Sequence, residues 1–104
     1  MAANTPSQND PAPVRIASGG NLVASTVEER RKAAMAALAG ACSEAILDLT
    51  ESDVVDSLGI TLILGLFKTC QQRHIPFRVV GANPDLMRVF KLFSLPKLFP
   101  IQER

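Results

Sequence analysis

A serine in a segment of acidic and glycine residues is the best candidate for chemistry in this 104-residue chain. Ser57 follows Asp56 and precedes Leu58 and Gly59, where a long apolar segment with helical spacing begins. A serine at a helix start lies beside unpaired backbone amides, and the helix dipole favours negative charge there. Two interpretations remain open: a serine that caps the helix, as serines often do, or a hydroxyl that can acquire a charge.

The helix expected to begin near Ser57 carries two rows of apolar residues. The first row has the spacing of a buried helix face and comprises Ile60, Ile63, Leu64, Phe67 and Cys70. The second row lies beside the serine and comprises Leu58, Leu62 and Leu66. One helix facing one sheet needs a single row, so the second row either packs against the following helix or forms an exposed docking patch. A docking patch beside a chargeable hydroxyl would act as a switch.

Catalytic and metal sites find little support in the sequence. A nucleophilic Ser57 would need His74 as its base, but about 17 residues of helix, or roughly 25 Å, separate the two positions. Asp53 and Asp56 have no further metal ligands at useful spacing. We therefore expect a protein that is not an enzyme, with no catalytic residue, no bound metal and no cofactor of its own.

Composition narrows the function classes further. The chain has 11 Lys and Arg and 10 Asp and Glu residues, and these charges are scattered rather than gathered into a phosphate-binding stripe, which disfavours nucleic-acid binding. The longest apolar run, residues 60–67, is far shorter than the roughly 20 residues that span a bilayer. Cys42 and Cys70 have no metal-ligand spacing, and no signal peptide is evident. We expect a soluble cytoplasmic protein, with Arg30 to Lys32 and Arg73-His74 on solvated helix faces.

The pattern along the chain predicts one α/β domain. Residues 1–13 are expected to form a disordered tail and residues 14–104 the domain. Strands are expected at 45–50 and 77–80, and one or two short strands in the apolar stretches 14–17 and 22–24. Three helices are expected. The first spans 25–39, where Ser25 and Glu28 have capping-box spacing, and the second begins near Ser57. The third runs from the Asn83-Pro84 start to about Ser94 and carries an apolar stripe of Leu86, Val89, Phe90 and Phe93.

Several of these segments together resemble one known family. The residues that carry the resemblance run from Ile46 to Leu49, from Val54 to Ile60, from Leu62 to Gly65, from Phe77 to Gly81, and from the Asn83-Pro84 start through Val89-Phe90-Lys91-Leu92 to Leu98-Phe99. In combination they are similar to the STAS-domain anti-sigma factor antagonists over about two thirds of the chain. The resemblance implies an α/β, STAS-like two-layer sandwich: a mixed β-sheet of about four strands, with a shortened N-terminal strand, covered by helices.

The resemblance also implies a mechanism. Family members are phosphorylated on the serine that matches Ser57 by a partner kinase that is also the anti-sigma factor, and a serine phosphatase reverses the modification. The unphosphorylated form binds that partner and releases the sigma factor, so transcription is regulated indirectly. ATP and magnesium would be bound by the kinase, and the free antagonist is expected to be a monomer.

The partner-binding footprint implied by the resemblance surrounds Ser57. It comprises Asn21, Val23, Ser25, Asp56, Ser57, Leu58, Gly59, Thr61 and Leu62. Val23 stands where the family often has an acidic residue, and Ser94 where a helix-ending glycine is usual. The rival interpretation is a STAS scaffold subunit of a lipid-transport or stress-signalling complex, which would dock a partner through the same helix face without a phosphate cycle.

Overall fold

The computed structural model describes residues 11–104, in which three helices connect four strands in strict alternation. The strands are β1 (Val14–Ala17), β2 (Ala45–Asp48), β3 (Phe77–Ala82) and β4 (Ile101–Glu103). The helices are α1 (Val27–Ala37), α2 (Ser57–Gln72) and α3 (Pro84–Leu92), and a 3-10 turn (Leu95–Lys97) precedes β4. The predicted tail, residues 1–13, lies mostly outside the described residues; within residues 11–13, the Ala12 carbonyl accepts a hydrogen bond from the Ser43 amide.

The sheet follows chain order, β1-β2-β3-β4, and every pairing in it is parallel. The expectation of four strands and a two-layer α/β fold is confirmed, whereas the expectation of a mixed sheet is wrong for the described residues. β1, the first strand of the described residues, has four residues. A parallel sheet in chain order needs a crossover between each pair of neighbouring strands, and the three helices supply these crossovers.

The two faces of the sheet differ in chemistry. Inward side chains of the strands, among them Ile16, Leu47 and Val79, join the helices in one core cluster. The opposite face carries cross-strand ion pairs, Arg15 with Asp48 at 3.0 Å and Arg78 with Glu44 at 2.9 Å. Ile46 pairs in register with both arginines and is still buried, because long arginine side chains can cover an apolar neighbour. One face of the sheet therefore packs against the helices, and the other carries charge.

The helix after β3 begins as its sequence predicts and ends earlier. Asn83 caps α3 by accepting a hydrogen bond from the Leu86 amide at 2.8 Å, and Pro84 occupies the first turn. The predicted stripe is confirmed at Leu86 and Phe90, which are buried, but Phe93 is 54% exposed. The helix stops at Leu92, and Ser94 takes a left-handed conformation with φ of 61°. That conformation suits the glycine that the family resemblance leads one to expect at Ser94.

Candidate functional site

Ser57 is the first residue of α2 and is exposed, but it does not cap the helix. The cap is Asp56, whose Oδ1 accepts hydrogen bonds from the amides of Leu58 at 2.9 Å and Gly59 at 3.0 Å. The interpretation of Ser57 as an N-cap is therefore wrong. An exposed hydroxyl without a capping role is available for modification or for contact with another protein.

Asp56 also joins α2 to a second segment of the chain. Its Oδ2 accepts a hydrogen bond from the Ala24 amide at 2.9 Å, across 32 residues of sequence. Three backbone amides thus converge on one carboxylate. The Gly59 amide is the largest cause of the lowered pKa of Asp56, and the amides of Ala24 and Leu58 lower it further, against the opposing effect of desolvation.

This hydrogen bonding predicts that Asp56 makes the stability of the domain depend on pH. Because the folded-state pKa lies below the unfolded one, the stabilisation is fully present above pH ~4 and is lost as pH falls through the folded-state pKa. Asp48, whose pKa is also lowered, chiefly by the Thr50 hydroxyl, contributes to the same acid limb. We expect the difference in melting temperature between wild type and Asp56→Ala to shrink as pH is lowered from 6 towards 2. A difference that stays constant over this range would contradict the role assigned to the carboxylate.

The turn that contains Asn21, Val23 and Ser25 lies directly beside the start of α2. The Asn21 Oδ1 accepts hydrogen bonds from the amides of Asp53 at 2.8 Å and Val54 at 3.0 Å. Leu22 forms a parallel β-bridge with Val55. The structure thus brings together two segments that the family resemblance placed in one footprint, and the Asn21 side chain holds them in register.

The capping box expected at the start of α1 is wrong. The N-cap position is Thr26, not Ser25, and its side chain makes no capping hydrogen bond. The Thr26 hydroxyl instead donates to the Asn21 carbonyl at 2.7 Å and accepts from the Val23 amide at 3.1 Å, while Glu28 forms an ion pair with Arg31. Bonds within the turn therefore occupy the hydroxyl that could have capped the helix, and Ser25 remains exposed.

Two residues of the expected footprint are buried. A Cβ on Gly59 would lie 2.2 Å from the Leu22 carbonyl oxygen, so this glycine permits the close approach of α2 to the turn. Leu62 is 5% exposed. Gly59 and Leu62 therefore add little to the exposed surface around Ser57, which corrects the expectation for that surface; Leu62 instead lines a groove between α1 and α2.

The second apolar row of α2 is likewise only partly exposed. Leu62 and Leu66 are buried. Leu62 lines a groove that α2 forms with the preceding helix, α1, whereas one interpretation of the sequence had this row pack against the following helix. Leu58 remains 47% exposed, and Val54, three residues before Ser57 in the chain and outside the predicted row, is 51% exposed. The exposed apolar residue next to Ser57 is therefore Leu58, and Thr61 is exposed one turn further along α2.

Some arginines make contacts that the sequence did not indicate, and Arg104 and Arg30 are two of them. Arg104 donates to the carbonyls of Leu49 at 3.0 Å and Ser52 at 3.2 Å, which fixes the segment leading to the site. Arg30, expected on a solvated face, is half-buried with its guanidinium against Gly19, and its Nε is buried. The Arg104 contacts join residues more than 50 positions apart, and the Arg30 contact depends on the conformation of the loop at Gly19. Neither contact can be recognised from a local sequence pattern.

The other kinds of site considered from the sequence stay separate from Ser57. His74 lies beyond the far end of α2, after its last residue, Gln72. Within residues 11–104, no three His, Cys, Asp or Glu side chains group as metal ligands. No helix in that same range is long and apolar enough to cross a membrane.

Comparison with known proteins places this arrangement in a family. The chain is 32% identical over 56 residues to an anti-sigma-B factor antagonist of Listeria monocytogenes, an overlap of 54% of this chain and 49% of that protein, so it spans about half the length of this relative. A putative anti-sigma factor antagonist from Thermotoga maritima superposes with a TM-score of 0.80 at 19% identity, over 88% of this chain and 80% of that one. A sulfate transporter family protein from Wolinella succinogenes superposes with a TM-score of 0.76 at 15% identity, over 88% and 77% of the two chains. The family model described as STAS domain matches residues 4–104, and the chain belongs to the STAS domain family.

Proposed function

We propose that this protein is an anti-sigma factor antagonist that binds an anti-sigma factor while Ser57 is unmodified and releases it when Ser57 is phosphorylated. The observation that carries the proposal is the exposed, non-capping hydroxyl of Ser57 beside the exposed Leu58. The Listeria relative that bears the antagonist name supports the same function. The fold alone does not choose it, since a sulfate transporter family protein shares that fold.

The capping arrangement explains why a phosphate at Ser57 would act on a partner. Asp56 already accepts hydrogen bonds from the Leu58 and Gly59 amides in the first turn of α2. A phosphoryl group on Ser57 would add close to two negative charges next to this carboxylate. Since Asp56 already uses those two amides, much of the added charge would face outward, towards any protein that covers the site.

The proposed contact surface is centred on Ser57 and includes the exposed residues of the expected footprint. These are Asn21, Ser25, Leu58 and Thr61, with half-buried Val23 and Asp56 between them. The partner would be an anti-sigma factor that is also a serine kinase and binds the ATP and magnesium, and a serine phosphatase would restore the binding form. This assigns the chain a binding role in the cytoplasm rather than catalysis.

Incubation with the candidate kinase and ATP, followed by intact-mass measurement, tests the proposal. We expect one added phosphoryl group on the wild-type protein and none on Ser57→Ala, because the hydroxyl is exposed and lies at the centre of the proposed contact. A stable complex in which the wild-type protein stays unmodified would instead indicate the scaffold function. Phosphorylation that persists in Ser57→Ala would place the modified residue elsewhere.

A further inference from the structure

Gly65 lies in the middle of the 16-residue helix α2, and no close packing within the described domain requires a glycine there. A Cβ built on it meets nothing within 4 Å in the described part of the chain. Glycine is the least favourable helix residue after proline. Gly59, in the same helix, differs, because a Cβ there would collide with the Leu22 carbonyl oxygen. The glycine at position 65 lowers helix stability with no compensating contact among residues 11–104.

Gly65 contributes to an apolar groove of about 320 Å³ between α1 and α2. Val27 and Met35 of α1 line one side of the groove, and Leu58 and Leu62 of α2 line the other. The Glu28–Arg31 ion pair lies along the α1 side. A side chain at position 65 would project from α2 into the open space here, so the glycine keeps the groove accessible to an apolar group from outside.

The groove is continuous with the surface around Ser57. Thr61 and Gly65 follow Ser57 at intervals of four residues, which places all three on one side of α2. Gly65 lies about 12 Å along the helix axis from Ser57. A stable complex buries about 800 Å² per partner, equivalent to a disc of roughly 16 Å radius. A protein that covers Ser57 over such an area therefore extends across the groove.

We propose that the groove receives an apolar side chain of the same anti-sigma factor that covers Ser57, and that Gly65 is small in order to admit it. This inference rests on the proposed function. It divides the interface into two parts: a part around Ser57 that is sensitive to charge, and an apolar anchor at the groove. A phosphate at Ser57 lies outside the groove, so it disrupts the first part and leaves the shape of the second unchanged.

Filling the groove from within tests the proposal. In calorimetric titrations with the candidate anti-sigma factor and a non-hydrolysable ATP analogue, which keeps Ser57 unmodified, we expect Gly65→Met to bind at least roughly tenfold more weakly than wild type, because the methionine side chain occupies the space that the partner needs. Gly65→Ala adds one methyl group and should weaken binding about threefold. The melting temperature of Gly65→Ala should rise, since alanine favours the helix. Gly40→Ala is the matched control, because a Cβ on Gly40 would also meet nothing within 4 Å, and Gly40 lies outside the groove.

The outcomes separate this inference from the function on which it rests. If Gly65→Met and Gly65→Ala bind as tightly as wild type, the groove is not an anchor, while a loss of binding in Ser57→Asp would still support the switch. If Gly65→Met does not fold, Gly65→Ala decides, and undiminished affinity of that variant overturns the inference. If wild-type protein binds none of the candidate anti-sigma factors of its genome, the proposed function and the groove both fail.

Discussion

Ser57→Asp is expected to weaken binding of the anti-sigma factor more than a hundredfold while leaving the fold intact. An unpaired charge forced into a protein interface costs on the order of 3 kcal/mol, and about 1.4 kcal/mol corresponds to a factor of ten in affinity. The domain itself should tolerate the substitution, because position 57 is exposed and an acidic residue in the first turn of a helix is compatible with the helix dipole. Titration of the partner with each variant measures the effect, and thermal unfolding checks the fold.

Ser43→Asp provides a matched control for this prediction. Ser43 is exposed and precedes β2, outside the proposed contact surface, so the same change of charge there should leave the affinity within a factor of about two. Ser57→Ala should retain binding because it introduces no charge. Equal affinities of wild type and Ser57→Asp would show that a charge at this position does not control the interface.

Of the alanine substitutions at the two glycines of α2, Gly59→Ala is expected to destabilise the domain and Gly65→Ala is not. The added Cβ would lie 2.2 Å from the Leu22 carbonyl oxygen and 2.7 Å from Val55 Cγ1. The Leu22 carbonyl also accepts a hydrogen bond from the Asp56 amide at 3.1 Å, so moving it away would break the contact that holds the turn. Overpacking of this kind costs about 1–3 kcal/mol, and we expect the upper end because a backbone atom must move.

The comparison variant for Gly59→Ala is Gly65→Ala, made in the same helix. Because nothing lies within 4 Å of a Cβ at Gly65, that variant should be stabilised by up to about 1 kcal/mol. Urea unfolding of the two variants should therefore give free-energy changes of opposite sign. Similar stability of Gly59→Ala and wild type would mean that α2 and the turn do not approach each other as closely as described.

Local chemistry explains which elements could be predicted from the sequence. The start of α3 is predictable because a cap depends on neighbouring residues: the Asn83 side chain accepts from the Leu86 amide three residues later. The start of α2 near Ser57 is also predicted correctly, but its cap is Asp56 and not Ser57. The capping box at Ser25 has equally good local spacing but does not form. The hydroxyl at Thr26 is held by Asn21 and Val23, and that competition is visible only once the turn is built.

Long-range geometry accounts for what the sequence left unresolved. The parallel direction of every pairing and the position of β4 depend on how distant segments meet, and a three-residue strand such as Ile101–Glu103 has too little periodicity to be recognised. The second contact of Asp56, with the Ala24 amide, joins positions 32 residues apart. The sequence placed Asp56 in the footprint by family resemblance, but its capping role emerges only from the folded chain.

The partner affinity of the two phosphorylation states of the protein tests the central claim most directly. The unmodified and phosphorylated forms can be separated after the kinase reaction and titrated individually with the anti-sigma factor. We expect the unmodified form to bind and the form phosphorylated on Ser57 to bind more than a hundredfold more weakly. Equal affinity of the two forms would contradict the claim.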